Sequence, residues 1–367
     1  MLTGAATLAL TPVDTARAVA QVYTWSLLAT IPLALAWVAS LLLARATAST
    51  RALVWRSAAI ALLVVFVTQQ LPLRWVAWVL PEGLATPLVA LGRMQVGDRA
   101  LTNWDAGGLA VALILLVYLA GVLAVLTGLA CDLLAVRRAA RRATAVADPR
   151  WLRDCASARG ALGVRRRVRL LVSDDWAVPA TFGILRPVVI VPRDALRWGA
   201  AHRRALLLHE LAHVRADDVL ALLLARVACA LCWFHPAAWL AARRLRAECE
   251  LACDDRVLGA GVPRSDYASL LLRAAAMMQP ARLPATTLAM AHGAGIRERV
   301  AAIADPARDI RVAGRGRRAL AAVCTLVLAL PLGALRPAPT RDVLTTLMRD
   351  ARWEARAYAV IGLAQRP

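Results

Sequence analysis

The stretch LLLHELAHVRADD, residues 206–218, places two histidines four residues apart with a glutamate directly after the first. The chain holds five histidines and six glutamates, so a shuffled chain of this composition spells His-Glu-x-x-His roughly once in a thousand trials. Chance is a poor account of it. On a helix, positions i and i+4 lie on one face, so His209 and His213 can offer two imidazoles to a single ion. Glu210 stands beside them as a general base toward an attacking water.

The surroundings are those of a membrane protein. The chain has 367 residues, is 60% hydrophobic and has a mean hydropathy of +0.58, far from the profile of an average soluble domain. Its net charge is +21 and every one of its 45 basic residues is arginine. In so apolar a chain, arginines clustered beside apolar runs are best placed against an anionic cytoplasmic leaflet. No recognition fold or aromatic platform accompanies the charge, so direct nucleic-acid binding is not expected. Seven cysteines, several inside apolar runs, argue against a secreted disulfide framework. A four-sulfur site from Cys229, Cys232, Cys249 and Cys253 is disfavoured, because the first pair sits in a strongly apolar helix where cysteine behaves as a small buried hydrophobe.

Three apolar runs precede the motif. Residues 22–44 carry no charge, are long enough to span a bilayer, and are followed by Arg45, Arg51 and Arg56 with only Arg17 ahead. That asymmetry reads as a retained helix with residues 1–21 outside, rather than a cleaved signal peptide. A second span covers 53–71 and is followed by Trp75 and Trp78 at the outer interface. Residues 72–107 form an extracytoplasmic connection. A third span, 108–135, closes on RRAARR at 137–142, and the residues beyond it belong in the cytoplasm.

Residues 136–316 are the least apolar part. RVRLLVSDD and FGILRPVVIVP read as two short strands ahead of the motif helix, which makes this an α+β domain. The run 219–241 is the hard case, since hydropathy alone makes it a fourth crossing. Arg226 and His235 within it, and Pro236 breaking it, favour a buried or membrane-grazing helix. RVAGRGRR at 311–318 marks a cytoplasmic flank before a last span at 319–335. The tail, 336–367, is then extracytoplasmic and resembles one HEAT-type repeat, of which about three are usually needed to bury a core.

A catalytic zinc takes three protein ligands and keeps one position open. RRLRAECELACDDRVL, residues 243–258, is the expected donor, with Glu250 and Asp254 at i and i+4 on a helix. Glu250 is assigned as third ligand and Asp254 as the residue orienting a histidine. Glu248 is the competing ligand, on a different helical face from Asp254. Asp217 or Asp218 is placed to cap the next helix, and holding His213 from behind is the other role open to Asp218.

HELAH, then WFHPAAW at 233–239, ECELACD at 248–254 and the upstream PATFGILRPVVIVP at 179–192 together resemble the M56 family of membrane metallopeptidases. Its best-known members resemble the signal-transducing regulators of β-lactam resistance. The resemblance implies a mostly α membrane protein with four transmembrane helices and an α+β, gluzincin-like zinc metallopeptidase domain between the third and fourth. It implies His209, His213 and Glu250 as zinc ligands, Glu210 as catalytic base, and a multi-pass place in a bacterial inner membrane with the catalytic domain on the cytoplasmic side. It further implies a protein or peptide substrate, either the chain itself or a cytoplasmic winged-helix repressor, and leaves a homodimer open. The strand at 188–191 is the expected edge for pairing with an extended substrate.

The β-lactam regulators carry a penicillin-binding domain with a Ser-x-x-Lys nucleophile after their last span. Here about thirty residues follow and the chain has no lysine, so sensing through that chemistry is not expected. A non-catalytic receptor with a structural metal site, and a general quality-control protease, are the rival functions. Glu210 separates catalysis from structure, since a purely structural site has no need of it.

Overall fold

The computed structural model describes residues 12–70, 78–79, 106–174, 176, 179–277 and 295–336. Almost all of the expected connection at 72–107 and of the HEAT-like tail lies outside the described residues. The first helix, α1 (Pro12–Leu42), starts well inside the segment expected to precede the membrane. It is followed by α2 (Ala48–Gln70) and α3 (Ala106–Arg142). Three segments among the described residues are long and apolar enough to cross a membrane: Gln21–Leu42, Ala48–Gln70 and Leu109–Arg142. The last of these turns Leu109, Leu113, Leu116 and Leu123 outward, as a lipid-facing helix does.

The chain divides into two compact units, one made of residues 1–29, 64–119 and 328–367, the other of 30–63 and 120–327. In the first, Trp25 and Phe66 meet edge to face at 5.2 Å. The second holds the residues of the motif and is α+β. A short strand β1 (Thr144–Ala145) leads to α4 (Pro149–Leu162), and then come β2 (Arg169–Ser173), β3 (Ala180–Phe182) and β4 (Val188–Pro192). Asp148 starts α4 by accepting from the Arg150 amide, with Pro149 in the first turn, and Gly163 at φ 65° ends it.

The sheet order is β1-β2-β4-β3, with β2 and β4 parallel and the outer pairs antiparallel. This corrects the expectation for 188–191. That strand is bonded on both sides and every residue of it is buried, so it has no free edge to offer. Its unbroken β-branched run is what a strand covered on both faces requires. The edge is β3.

Helix α5 (Ala200–Ala216) carries the His-Glu-x-x-His motif, and its Leu207, Leu208 and Leu211 are fully buried in a core with Trp151, Val189, Val191, Val257 and Tyr267. Asp217, at φ 59°, ends α5 in the left-handed region and makes no side-chain cap to the next helix; the capping reading of Asp217 and Asp218 is thereby corrected. Helix α6 (Asp218–Leu231) breaks at 232–235, and Pro236 opens α7 (Pro236–Gly259), which packs against both α5 and α6. At 14 residues, α6 is about 21 Å long, short of the roughly 30 Å of a bilayer core. The run 219–241 is thus divided by a break ahead of Pro236.

Helices α8 (Arg264–Met277) and α9 (Ile296–Ala304) pack together, and α9 also touches α7. The final described helix, α10 (Arg315–Ala334), exposes Leu320, Val323, Leu326 and Val327.

The hairpin tip meets the third span. A Cβ placed on Gly121 of α3 lands on the Trp233 indole, so only glycine lets the two approach. Gly121→Leu should lower the melting temperature of the detergent-solubilised protein, at an overpacking cost of about 1–3 kcal/mol. Unchanged melting would mean that this contact is dispensable.

Candidate metal centre

Helix α5 presents His209 and His213 on one face, and α7 brings Glu250 opposite them. His209 Nε2 lies 3.5 Å from Glu250 Oε2, and His213 Nε2 lies 3.8 Å from Glu250 Oε1. One atom from each residue falls within 4.8 Å of the others. Ligands bound tetrahedrally at about 2.0–2.1 Å stand roughly 3.3 Å apart, so the three side chains fit a single dication with little movement.

The far side of each imidazole is held. His213 Nδ1 donates to Asp218 Oδ2 at 2.7 Å. His209 Nδ1 lies 2.9 Å from the Tyr267 hydroxyl and 3.3 Å from Asp254 Oδ1, and the same hydroxyl donates to Asp254 at 2.6 Å. With Nδ1 engaged in this way, Nε2 is the nitrogen each ring turns toward Glu250. A carboxylate behind a histidine is the usual support of a metal ligand.

The carboxylates are held in turn by Arg299 on α9. It contacts Glu250 Oε2 at 3.0 Å, and donates to Asp254 Oδ2 at 2.8 Å and to Asp254 Oδ1 at 2.7 Å. Burial works against charge on Glu250, but Arg299 and the histidines overcome it and hold the carboxyl well below its ordinary range. Asp254 falls to about 2, against burial and chiefly through Arg299. Burial also opposes charge on His209, yet hydrogen bonds to Asp254 and Glu250 carry its pKa to about 10. His213 rises too, Asp218 outweighing burial.

Glu210 is buried, and Thr181 of the edge strand donates to its Oε2 at 2.7 Å while standing 3.1 Å from its carbonyl oxygen. This fixes the carboxyl group and ties the motif helix to β3.

The residues assigned to the site from the sequence, His209, Glu210, His213, Asp218, Glu250 and Asp254, lie on the two helices α5 and α7 and on the first residue of α6. Glu248 is not part of it and pairs instead with Arg51 at 2.9 Å. A second group, His213, Asp218 and Cys253, is also close enough to share a cation. It is the poorer donor set, because Asp218 is already engaged by His213 and Arg56. Burial, then Asp218, also push the Cys253 thiol well above its usual pKa. Among the described residues, neither group includes Cys229, Cys232 or Cys249.

Tyr267, Arg299 and Thr181 were not singled out by sequence. Thr181 lies inside PATFGILRPVVIVP and so was within reach. Tyr267 and Arg299 stand at no fixed helical spacing from the ligands, and only the packing of α8 on α5 and of α9 on α7 brings them in.

Residues 20–303 match the family model described as BlaR1 peptidase M56, and the chain belongs to that peptidase family. A curated relative, Regulatory protein BlaR1 of Bacillus licheniformis, is 35% identical over 80 residues, which is 22% of this chain and 13% of that protein. The matched stretch is thus a small part of the relative's length.

Removing Arg299 leaves two buried carboxylates without their cation. Arg299→Ala should destabilise the protein by about 3–5 kcal/mol, as breaking a buried ion pair does, read as a lower melting temperature. A melting temperature equal to wild type would show the clamp to be energetically idle.

Proposed function

We propose that this chain is a membrane-embedded zinc metalloendopeptidase acting in signal transduction. The observation that carries the reading is the convergence of His209 Nε2, His213 Nε2 and Glu250 on one point, with both Nδ1 atoms backed by carboxylates. Two imidazoles and a carboxylate are a donor set that suits zinc. Zinc, when bound, supplies a Lewis acid for the scissile carbonyl and the attacking water.

The rest of the chemistry falls to the chain's own side chains. Glu210 accepts the proton of the attacking water at its carboxylate and passes it to the leaving amine. Thr181, bonded to Glu210 Oε2, holds that carboxylate in one orientation. Asp218 and Asp254 fix which nitrogen of each histidine faces the metal. Strand β3, at the sheet edge and bonded through Thr181 to the motif helix, is the place for an extended peptide to add by backbone hydrogen bonds. The substrate would be the chain itself or a cytoplasmic repressor, cleaved after an external signal.

The reading extends to topology. Arginines fill the last turn of α3 and the first turn of α10, which supports a cytoplasmic position for the domain between them in a bacterial inner membrane. The 1–21 and 336–367 segments would then be outside, with α10 as the fourth crossing. A reporter fused after residue 335 should give an extracytoplasmic signal. A cytoplasmic signal there would overturn the four-span arrangement.

Two substitutions separate binding from chemistry. Glu210→Gln should keep metal at wild-type stoichiometry while cleavage of the chain and of a candidate repressor falls by about 10²–10⁴-fold. Glu250→Ala should lose both metal and cleavage. Proteolysis that survives Glu210→Gln would refute the enzyme assignment.

A further inference from the structure

Helix α2 sends two arginines into the protein. Arg51 Nε donates to Glu248 on α7 at 2.9 Å. Arg56 reaches deeper: its Nη1 donates at 2.6 Å to the carbonyl of Ala216, the last residue of the motif helix α5. Its Nη2 donates to Asp218 Oδ1 and lies 3.5 Å from Cys249 Sγ. The Asp218 side chain is only 2% exposed and that of Arg56 19%.

The two oxygens of Asp218 therefore face in opposite directions. Oδ1 accepts from a helix that the proposed topology places in the membrane, and Oδ2 accepts from His213 Nδ1 at 2.7 Å. An arginine on a spanning helix is turned inward and paired only where the pairing offsets the loss of its hydration, and here one guanidinium also caps a carbonyl at the negative end of α5. Through these two contacts Arg56 links α2 both to the end of α5 and to the Asp218 carboxylate. The same stretch of α2 is tied onward, for Ser49 Oγ accepts from the Ala313 amide at 2.8 Å and donates to the Arg311 carbonyl at 3.3 Å, in the segment entering α10.

We infer that Arg56 is a positioning residue for His213: through Asp218 it makes the orientation of a cation ligand depend on where membrane helix α2 stands. The inference rests on the reading of His213 as a cation ligand. Alternative partners for the same atoms lie close by. Cys253 Sγ is 3.3 Å from His213 Nδ1 and 3.4 Å from Asp218 Oδ2, so a displaced Asp218 gives the imidazole a second arrangement rather than none. Coupling of this kind is reciprocal, and a cation bound at His213 would in turn hold α2 in place.

The test uses the full chain in detergent, titrated with Co²⁺ against a chromophoric chelator, with the cobalt d–d absorption and metal-induced thermal shift recorded together. Arg56→Gln should weaken Co²⁺ binding about tenfold, alter the d–d envelope and shrink the thermal shift, whereas Arg51→Gln should stay within about twofold of wild type. Arg56→Lys, which keeps the charge but cannot hold both Asp218 and the Ala216 carbonyl as a fork, should recover part of the loss. If Arg56→Gln does not fold, Arg56→Lys decides: a wild-type spectrum and affinity overturn the inference. An equal loss in Arg51→Gln overturns it as well, because the effect is then general helix docking. Wild-type protein that binds no Co²⁺ overturns the metal reading itself and this inference with it. A wild type that binds, beside an unaltered Arg56→Gln, overturns this inference alone.

Discussion

The structure turns on the cost of keeping carboxylates and imidazoles out of water. Glu250, Asp254 and Asp218 all lie in the interior of the α5–α7 unit, with Asp254 and Asp218 almost fully buried. Each unpaired would be expensive. Each is instead bonded on one side to a histidine and on another to an arginine: Arg299 for Glu250 and Asp254, Arg56 for Asp218. The arginines come from α9 and α2, far apart in sequence, so the site cannot be assembled by α5 and α7 alone. Its geometry is a property of the whole unit.

That dependence explains features that look unrelated. The hairpin of α6 and α7 must turn back at 232–235, because Glu250 has to return to the side of His209 and His213. Trp233 at that turn then abuts Gly121 of the third span, and the space for the turn is made by the absence of a side chain there. Asp217 adopts a left-handed conformation uncommon for a residue with a Cβ, which ends α5 abruptly enough for Asp218, one residue later, to reach back to His213. The edge strand β3 is short, and its Thr181 is joined to Glu210, so the sheet and the motif helix meet at the one carboxylate that touches neither arginine clamp.

Much of this was legible from spacing. The i, i+4 histidines, the neighbouring Glu210, and the pair Glu250 and Asp254 at i, i+4 each follow from helical periodicity, and the three strongest apolar runs follow from their length. Where spacing misled, the reason is specific. The strand at 188–192 has the β-branched run of a strand covered on both faces, and that pattern carries no record of whether its edges are free. Asp217 and Asp218 have the composition of a helix cap, a local signal that a longer-range partner, His213, overrides for Asp218.

By itself the sequence determined the donor types, their helical spacing and the membrane character of the chain, because these depend on residue identity and local periodicity. It also disfavoured a crossing at 219–241, since a crossing would separate His209 and His213 from Glu250. Only the tertiary structure decided which strands are edges, that Glu248 pairs with Arg51 rather than joining His209, His213 and Glu250, and that Tyr267, Arg299, Thr181 and Arg56 surround the site. These are contacts between elements tens to hundreds of residues apart. They are set by how helices pack to neutralise buried charge, and no periodicity along the chain encodes that.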